Sequence, residues 1–359
     1  MKKTWVFNDL HLGVARSGGT TQASAIALRL WALDQFDALL KKVPDGDDVI
    51  INGDLTDQFD IPLADVAILY GTIDEFARTH PASTLWCSLG NHDLSKDSTK
   101  LGTVEFLVSL LETVHGNVKC IAEPGWTGDG IYVIPHLVNQ ATFDLALSQV
   151  PDGTRYLLLH CNVMSPFAEH SDHSLNIDRE QVKELVARGI TLVVGHEHHQ
   201  RVLMGGKAVI PGNQFPTSIA DCVTPEGRQV REKQFAVLTD DGVELHTSWR
   251  TDDEAGFVQV SVELLPMADP DEAKFIRVTG EVEPENAADA LRKISRLRQA
   301  SNAFVIVNAV KVRSAAGNEI EDALEGIEDV RGIDVIQMLL QTLTEEQQEA
   351  VRAVLAMQK

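Results

Sequence analysis

Val49-Ile50-Ile51-Asn52-Gly53-Asp54-Leu55-Thr56-Asp57 decides the fold. Three β-branched residues read as a buried strand, Asn-Gly ends it, and two carboxylates follow at once. The same order recurs along the chain. Trp5-Val6-Phe7 runs into Asn8-Asp9-Leu10-His11, and Leu85-Trp86-Cys87-Ser88-Leu89 into Gly90-Asn91-His92-Asp93. Tyr156-Leu157-Leu158-Leu159 ends at His160, and Thr191-Leu192-Val193-Val194 at Gly195-His196-Glu197-His198. Between the first three strands, apolar residues at helical spacing predict helices over about 25–42 and 63–78, with another over 103–114. Strands dominate the middle of the chain, including Ile131–Ile134, Val209-Ile210 and a hairpin over Phe235–Leu245. Strands alternating with helices indicate a layered α/β core with polar clusters at strand C-termini, where such sheets place their sites.

The chain has 359 residues, enough for about two domains. Its 31 basic and 53 acidic residues give a net charge of −22, which disfavours nonspecific attraction to nucleic acid. No apolar run approaches the roughly 20 residues that span a bilayer. The basic start breaks at Asn8-Asp9, too early for a signal peptide. Cys87, Cys120, Cys161 and Cys222 form no CxxC pair, which argues against a disulfide scaffold or zinc ribbon and points to a cytoplasmic location. Composition shifts after Trp249, and residues 251–290 hold 11 acidic and 2 basic residues. Residues 275–278, a helix over about 286–299 and residues 304–312 predict a small α+β unit. An acidic link and a helical tail over about 333–357 follow.

The five clusters supply oxygen and imidazole donors. In a strand, residues i and i+2 face one way, so strand geometry would let Asp9 and His11 converge, and likewise His196 and His198. Mixed His, Asp and Asn donors suit Mn, Fe, Zn or Ni. Two ions about 3.5–4 Å apart need a bridging carboxylate, and Asp54 is the natural one. Two aspartates against two divalent cations leave a positive centre, suited to phosphate.

DLH, GDLTD, GNHD, the strand-end His and GHEH together resemble the calcineurin-like metallophosphoesterase signature over residues 5 to about 250. The resemblance implies a four-layer αββα sandwich with two divalent metals, Mn being favoured and Fe, Zn, Ni or Mg the alternatives. It implies one metal on Asp9, His11, Asp54 and His198 and the other on Asp54, Asn91, His160 and His196. It also implies His92 as the acid that protonates the leaving oxygen, with Asp57 orienting it and raising its pKa by opposite charge.

DLHLG, GDLTD, Ile210-Pro211-Gly212-Asn213, the hairpin and the layout beyond 251 are similar to the SbcD-type nucleases, in particular the tailed-phage recombination endonuclease subunits. That resemblance implies a phosphoesterase domain over 1–250, a capping domain over 251–313 that positions DNA, and a tail over 314–359 that binds an SMC-like ATPase. Such proteins often form homodimers and work in DNA end processing and recombination, in the host cytoplasm when phage-encoded. The other reading is a stand-alone phosphodiesterase or phosphatase acting on nucleotides or phosphoproteins. His199, His170 and His173 are candidate cleft residues. Arg292, Lys293, Arg296 and Arg298 are either a solvated face or a contact to phosphates. Arg228, Arg231 and Lys233 form a weaker group of the same kind.

Overall fold

The computed structural model describes residues 2–14, 20–95, 100–128, 130–165, 175–253, 255–265 and 273–313. The predicted tail helix, His170 and His173 lie outside them. The chain begins β1 (Thr4–Phe7), α1 (Gln22–Leu40), β2 (Asp48–Asn52), α2 (Leu63–Thr79), β3 (Leu85–Ser88) and α3 (Thr103–Val114). It continues β4 (Val118–Ile121), β5 (Gly125–Gly128), β6 (Ile131–Ile134), α4 (Gln140–Ser148) and β7 (Tyr156–His160). Next come β8 (Asn162–Val163), β9 (Asn176–Ile177), α5 (Arg179–Ala187), β10 (Thr191–Gly195), β11 (Arg201–Leu203) and β12 (Ala208–Ile210). The hairpin is β13 (Glu232–Leu238) with β14 (Val243–Arg250), followed by β15 (Gly256–Ser261), β16 (Ala273–Val282), α6 (Ala287–Ala300) and β17 (Val305–Val312).

Two six-stranded sheets form, ordered β14-β13-β1-β2-β3-β4 and β11-β12-β10-β7-β6-β5. Side-chain alternation along the central strands produces four layers. Phe7, Val49, Ile51, Leu85 and Cys87 pack with Leu28, Phe36, Leu69, Ile73 and Leu107 of α1–α3 in one core. Val6 and Ile50, the residues between, face Leu158 and Val193 of the other sheet in a second core. Leu157, Leu159, Leu192 and Val194 turn outward onto Phe143 of α4 and Val182 and Leu185 of α5 in a third. Strands covered on both faces must be apolar at every position, which is why they read as unbroken runs. β15-β16-β17 make a small third sheet. Trp31 of α1 meets Phe215, Phe275 and Phe304 at ring distances of 5.5, 5.9 and 5.6 Å.

The described residues fall into two units, one of 2–280 and 288–310, the other of 281–287 and 311–313. No helix among the described residues is long and apolar enough to cross a membrane.

Two helices depart from the expectation that strands dominate after residue 114. α4 has an Asn139 cap accepting from Thr142 N, and α5 has a reciprocal capping box between Asp178 and Gln181. The D-x-x-Q spacing of that box is a readable helix start. Both helices are short, with few core-facing residues to reveal their period.

Candidate metal centre

Strand ends bring the site together. Asp9 and His11 follow β1, Asp54 and Asp57 follow β2, and Asn91 and His92 follow β3, all in the first sheet. His160 closes β7, and His196 and His198 follow β10, in the second. β1, β2 and β3 are parallel neighbours, as are β7 and β10, with His160 opposite Gly195.

The convergence of Asp9 with His11 does not come from strand alternation. β1 ends at Phe7, and Asp9 and His11 take left-handed φ values of 50° and 46°. Asp54 (49°) and His196 (89°) do the same, so four of the six described non-glycine residues with positive φ belong to this cluster. Such strain persists only where surrounding contacts enforce it. Here the enforcing contacts are lacing hydrogen bonds between loops. Asp9 N donates to Gly53 O at 3.3 Å, His11 N to Asp54 O at 3.0 Å and Leu12 N to Leu55 O at 2.9 Å. Two glycines make room. A Cβ on Gly53 would lie 2.2 Å from His160 Nδ1, and one on Gly90 would lie 2.1 Å from Asp54 Oδ1.

Three overlapping groups offer donor atoms within 4.8 Å of one another: Asp9, His11 and His198; His11, Asp54 and His92; Asp54, His160 and His196. Asn91 Oδ1 joins the third, 3.1 Å from His160 Nε2 and 3.0 Å from His196 Nδ1. Asp9, Asp54, His11 and His160 are all buried.

The ring tautomers test whether cations fit. His160 Nδ1 donates to the Asn52 carbonyl at 3.0 Å, so a neutral ring presents a lone pair at Nε2. That atom faces Asp54 Oδ2 at 3.2 Å. His198 Nδ1 donates to Asp221 Oδ1 at 2.7 Å, and its Nε2 meets His11 Nε2 at 3.0 Å. Lone pairs pointed at lone pairs and at carboxylates require positive charge between them, as protons or as metal ions. The buried oxygen and imidazole donors fit divalent transition-metal ions.

Without cations the groups lean on each other. Burial lowers His11, but its Asp57 contact and the Asp54 charge outweigh that and lift it to about 9. Burial also opposes the charged form of His160, yet the Asp54 charge raises it to about 10. Burial and the His160 charge push His196 down to about 3. Burial would raise Asp54, but His160 and His11 hold it well below the usual carboxylate range.

Asp57 touches His92 through its main chain, with His92 Nδ1 donating to Asp57 O at 2.7 Å. The Asp57 carboxylate stands 3.5 Å from His11 Nδ1. His92 N donates to Asp54 Oδ1 at 2.9 Å, and its ring meets that of His11 edge-on at 4.8 Å.

Several residues carried no sequence signal strong enough to name their part. Asp93 accepts from Gly90 N, Thr56 N and Thr56 Oγ1 at 2.9 Å and from Leu55 N at 3.3 Å, tying the GDLTD loop to the GNHD loop. Glu197 Oε1 accepts from Val163 N at 2.7 Å and Arg201 Nη2 at 2.6 Å. His136, just past β6, sets its ring 6.4 Å from that of His160. Asp221 and Lys233 reach His198 from below, so Lys233 is buried rather than part of a solvated face. His199 lines a cavity of about 630 Å³ beside His198, with Asn162, Met164, Arg201 and Glu226. On α6, Arg292 and Lys293 pair with Asp289, and Arg298 donates to Ile306 O.

The profile of the family described as calcineurin-like phosphoesterase matches residues 2–200. No curated protein matches the chain. Among solved structures it is similar to a cold-active protein-tyrosine phosphatase of a psychrophilic Shewanella species. That match is 11% identical and covers 69% of this chain and 81% of that one, with a TM-score of 0.31. It is also similar to the nuclease MPE of Pseudomonas putida, at 16% identity, 65% and 83% coverage and a TM-score of 0.28.

Proposed function

The chain belongs to the calcineurin-like phosphoesterase family, and from that premise we propose that it hydrolyses phosphodiester bonds in DNA with two divalent cations. The observation that carries hydrolysis is the convergence of buried and half-buried carboxylate and imidazole donors from five strand ends into overlapping groups that share His11 and Asp54. Asp9, His11, Asp54 and His198 would hold one cation, and Asp54, Asn91, His160 and His196 the other. When bound, the pair would acidify water and neutralise charge developing on the phosphoryl group. His92 Nδ1–H donates a hydrogen bond to the Asp57 carbonyl, so an imidazolium held this way would carry its second proton on Nε2, pass it to the departing oxygen and be left as the neutral ring with Nδ1–H in place. Asp57 thus sets the direction of the ring.

DNA as the substrate rests on the likeness of DLHLG, GDLTD and the later layout to the SbcD-type nucleases. In that reading residues 251–313 present DNA, and residues 314–359 engage an SMC-like ATPase that supplies the cations a chain of net charge −22 lacks. The second reading, a stand-alone diesterase for small substrates, is favoured by α6, where three of four cations are already engaged within the chain.

The deciding experiment is Mn-dependent hydrolysis of labelled linear duplex DNA beside an aryl phosphodiester, wild type against His92→Ala. DNA degradation lost in His92→Ala supports the nuclease. Aryl diester cleavage with DNA untouched, even after adding a candidate ATPase, supports the small-substrate enzyme.

A further inference from the structure

His198 is held from beneath by a pair of opposite charges. Asp221 Oδ1 accepts its Nδ1–H at 2.7 Å, and Lys233 Nζ donates to its main-chain oxygen at 3.0 Å. Asp221 is 1% exposed and Lys233 3%. Burying two ionised groups is costly, and apolar residues of similar volume would often serve stability as well or better.

The geometry leaves Asp221 no freedom to turn. Its Oδ2 accepts from Thr217 N at 2.9 Å, Thr217 Oγ1 at 3.2 Å, Ser218 N at 2.9 Å and Ser218 Oγ at 3.0 Å. One oxygen is therefore fixed by the loop, and the other is presented to a single imidazole. The loop is anchored in turn, since Phe215 packs against Trp31. Lys233 lies on β13 beside a shift of register, with Lys233 opposite Trp249, Gln234 opposite Thr247 and Ser248 of β14 the extra residue between them.

We propose that Asp221 and Lys233 are positioning residues that clamp His198, one at its ring and the other at its main chain, and so aim Nε2 at Asp9 and His11. The clamp rests on the reading of that group as a cation site, and it acts on one of the two cations only. A carboxylate behind a ligating imidazole fixes the tautomer and raises the basicity of the metal-facing nitrogen.

The test is calorimetric titration of Mn²⁺ into metal-stripped full-length wild type, Asp221→Asn and Lys233→Met, with thermal unfolding of each in chelator. The expected result is two cations on wild type and a loss of about 10–100-fold in affinity at one site of Asp221→Asn, the other site staying within about twofold. Lys233→Met should weaken the same site by less. ¹⁵N spectra of the metal-free proteins should show His198 protonated at Nδ1 in wild type and a mixture of tautomers in Asp221→Asn. A folded Asp221→Asn protein that binds both cations like wild type overturns the clamp. So does equal loss at both sites with a collapsed melting temperature, which would make Asp221 a loop-holding residue alone. If Asp221→Asn does not fold, unchanged affinity at both sites of Lys233→Met is the overturning result. A wild type that takes up no cation defeats the metal reading itself, and that outcome is visible without any variant.

Discussion

Asp54 is the residue on which the centre turns, because it shares a donor group with His11 and His92 and another with His160 and His196. Asp54→Ala should lose both cations, whereas His92→Ala should keep them and lose turnover. Elemental analysis of the purified variants decides this, and two equivalents retained by Asp54→Ala would refute the bridge. The protons that stand in for cations make a second prediction. His11, lifted to about 9, and His160, lifted to about 10, are charged in the metal-free protein at neutral pH. Cation binding should then release about two protons, and affinity should rise with pH up to about 10. Calorimetry in buffers of different ionisation enthalpy measures the release, and none at pH 7 would contradict it. The sign for stability is opposite. Raised histidine pKa values stabilise the metal-free fold fully below about 6.5, and that contribution is lost as pH rises through about 9–10. The side chains that the strand ends bring together were nameable from the sequence because such candidate donors are restricted to a few residue types next to apolar runs. Asp221 and Lys233 were not, since a lone aspartate after Thr-Ser-Ile-Ala and a lysine among charged neighbours look like ordinary surface.

Among elements, strands were more legible than the loops that follow them. Val49-Ile50-Ile51 and Leu157-Leu158-Leu159 are buried on both faces, and that demand shows directly in residue type. The left-handed turns at Asp9, His11, Asp54 and His196 leave no such trace, because aspartate and histidine sit in many conformations and only the lacing hydrogen bonds impose this one. Asp93 shows how two loops become one element. Four donors from the GDLTD and GNHD loops end on its carboxylate. Asp93→Ala leaves those donors buried without an acceptor, at a cost of about 1–3 kcal/mol for each group left unpaired, reduced where water enters. Chemical denaturation in chelator should show a large loss of stability, and a change below about 0.5 kcal/mol would mean the latch is idle. Gly53 is a further pivot. Gly53→Ala drives a methyl into His160 and should weaken cation binding while every donor residue stays in place, as a binding titration would show.

For the whole molecule, the sandwich was readable from alternating runs and helices, and β16, α6 and β17 from the apolar runs and helical spacing after residue 274, whereas β15 was not. β4, β5 and β11 were not, being short edge or near-edge strands without apolar runs. If the tail engages an SMC-like ATPase as proposed, deleting the chain from Gly332 onward should abolish that association and leave aryl diester hydrolysis intact. Pull-down and a colorimetric assay measure the two, and joint loss would make the tail part of the catalytic fold. The seam between the sheets also sets a timetable for synthesis. His11 and His198 are 187 positions apart in the chain. At about 5–20 residues per second a ribosome needs roughly 10–40 s between them. For most of that interval the nascent chain carries the donors of the first sheet alone, and His160 joins them only near its end. A product that stops short of His196 would lack one imidazole from each of the two proposed cation groups, so both groups would be complete only in the finished sandwich.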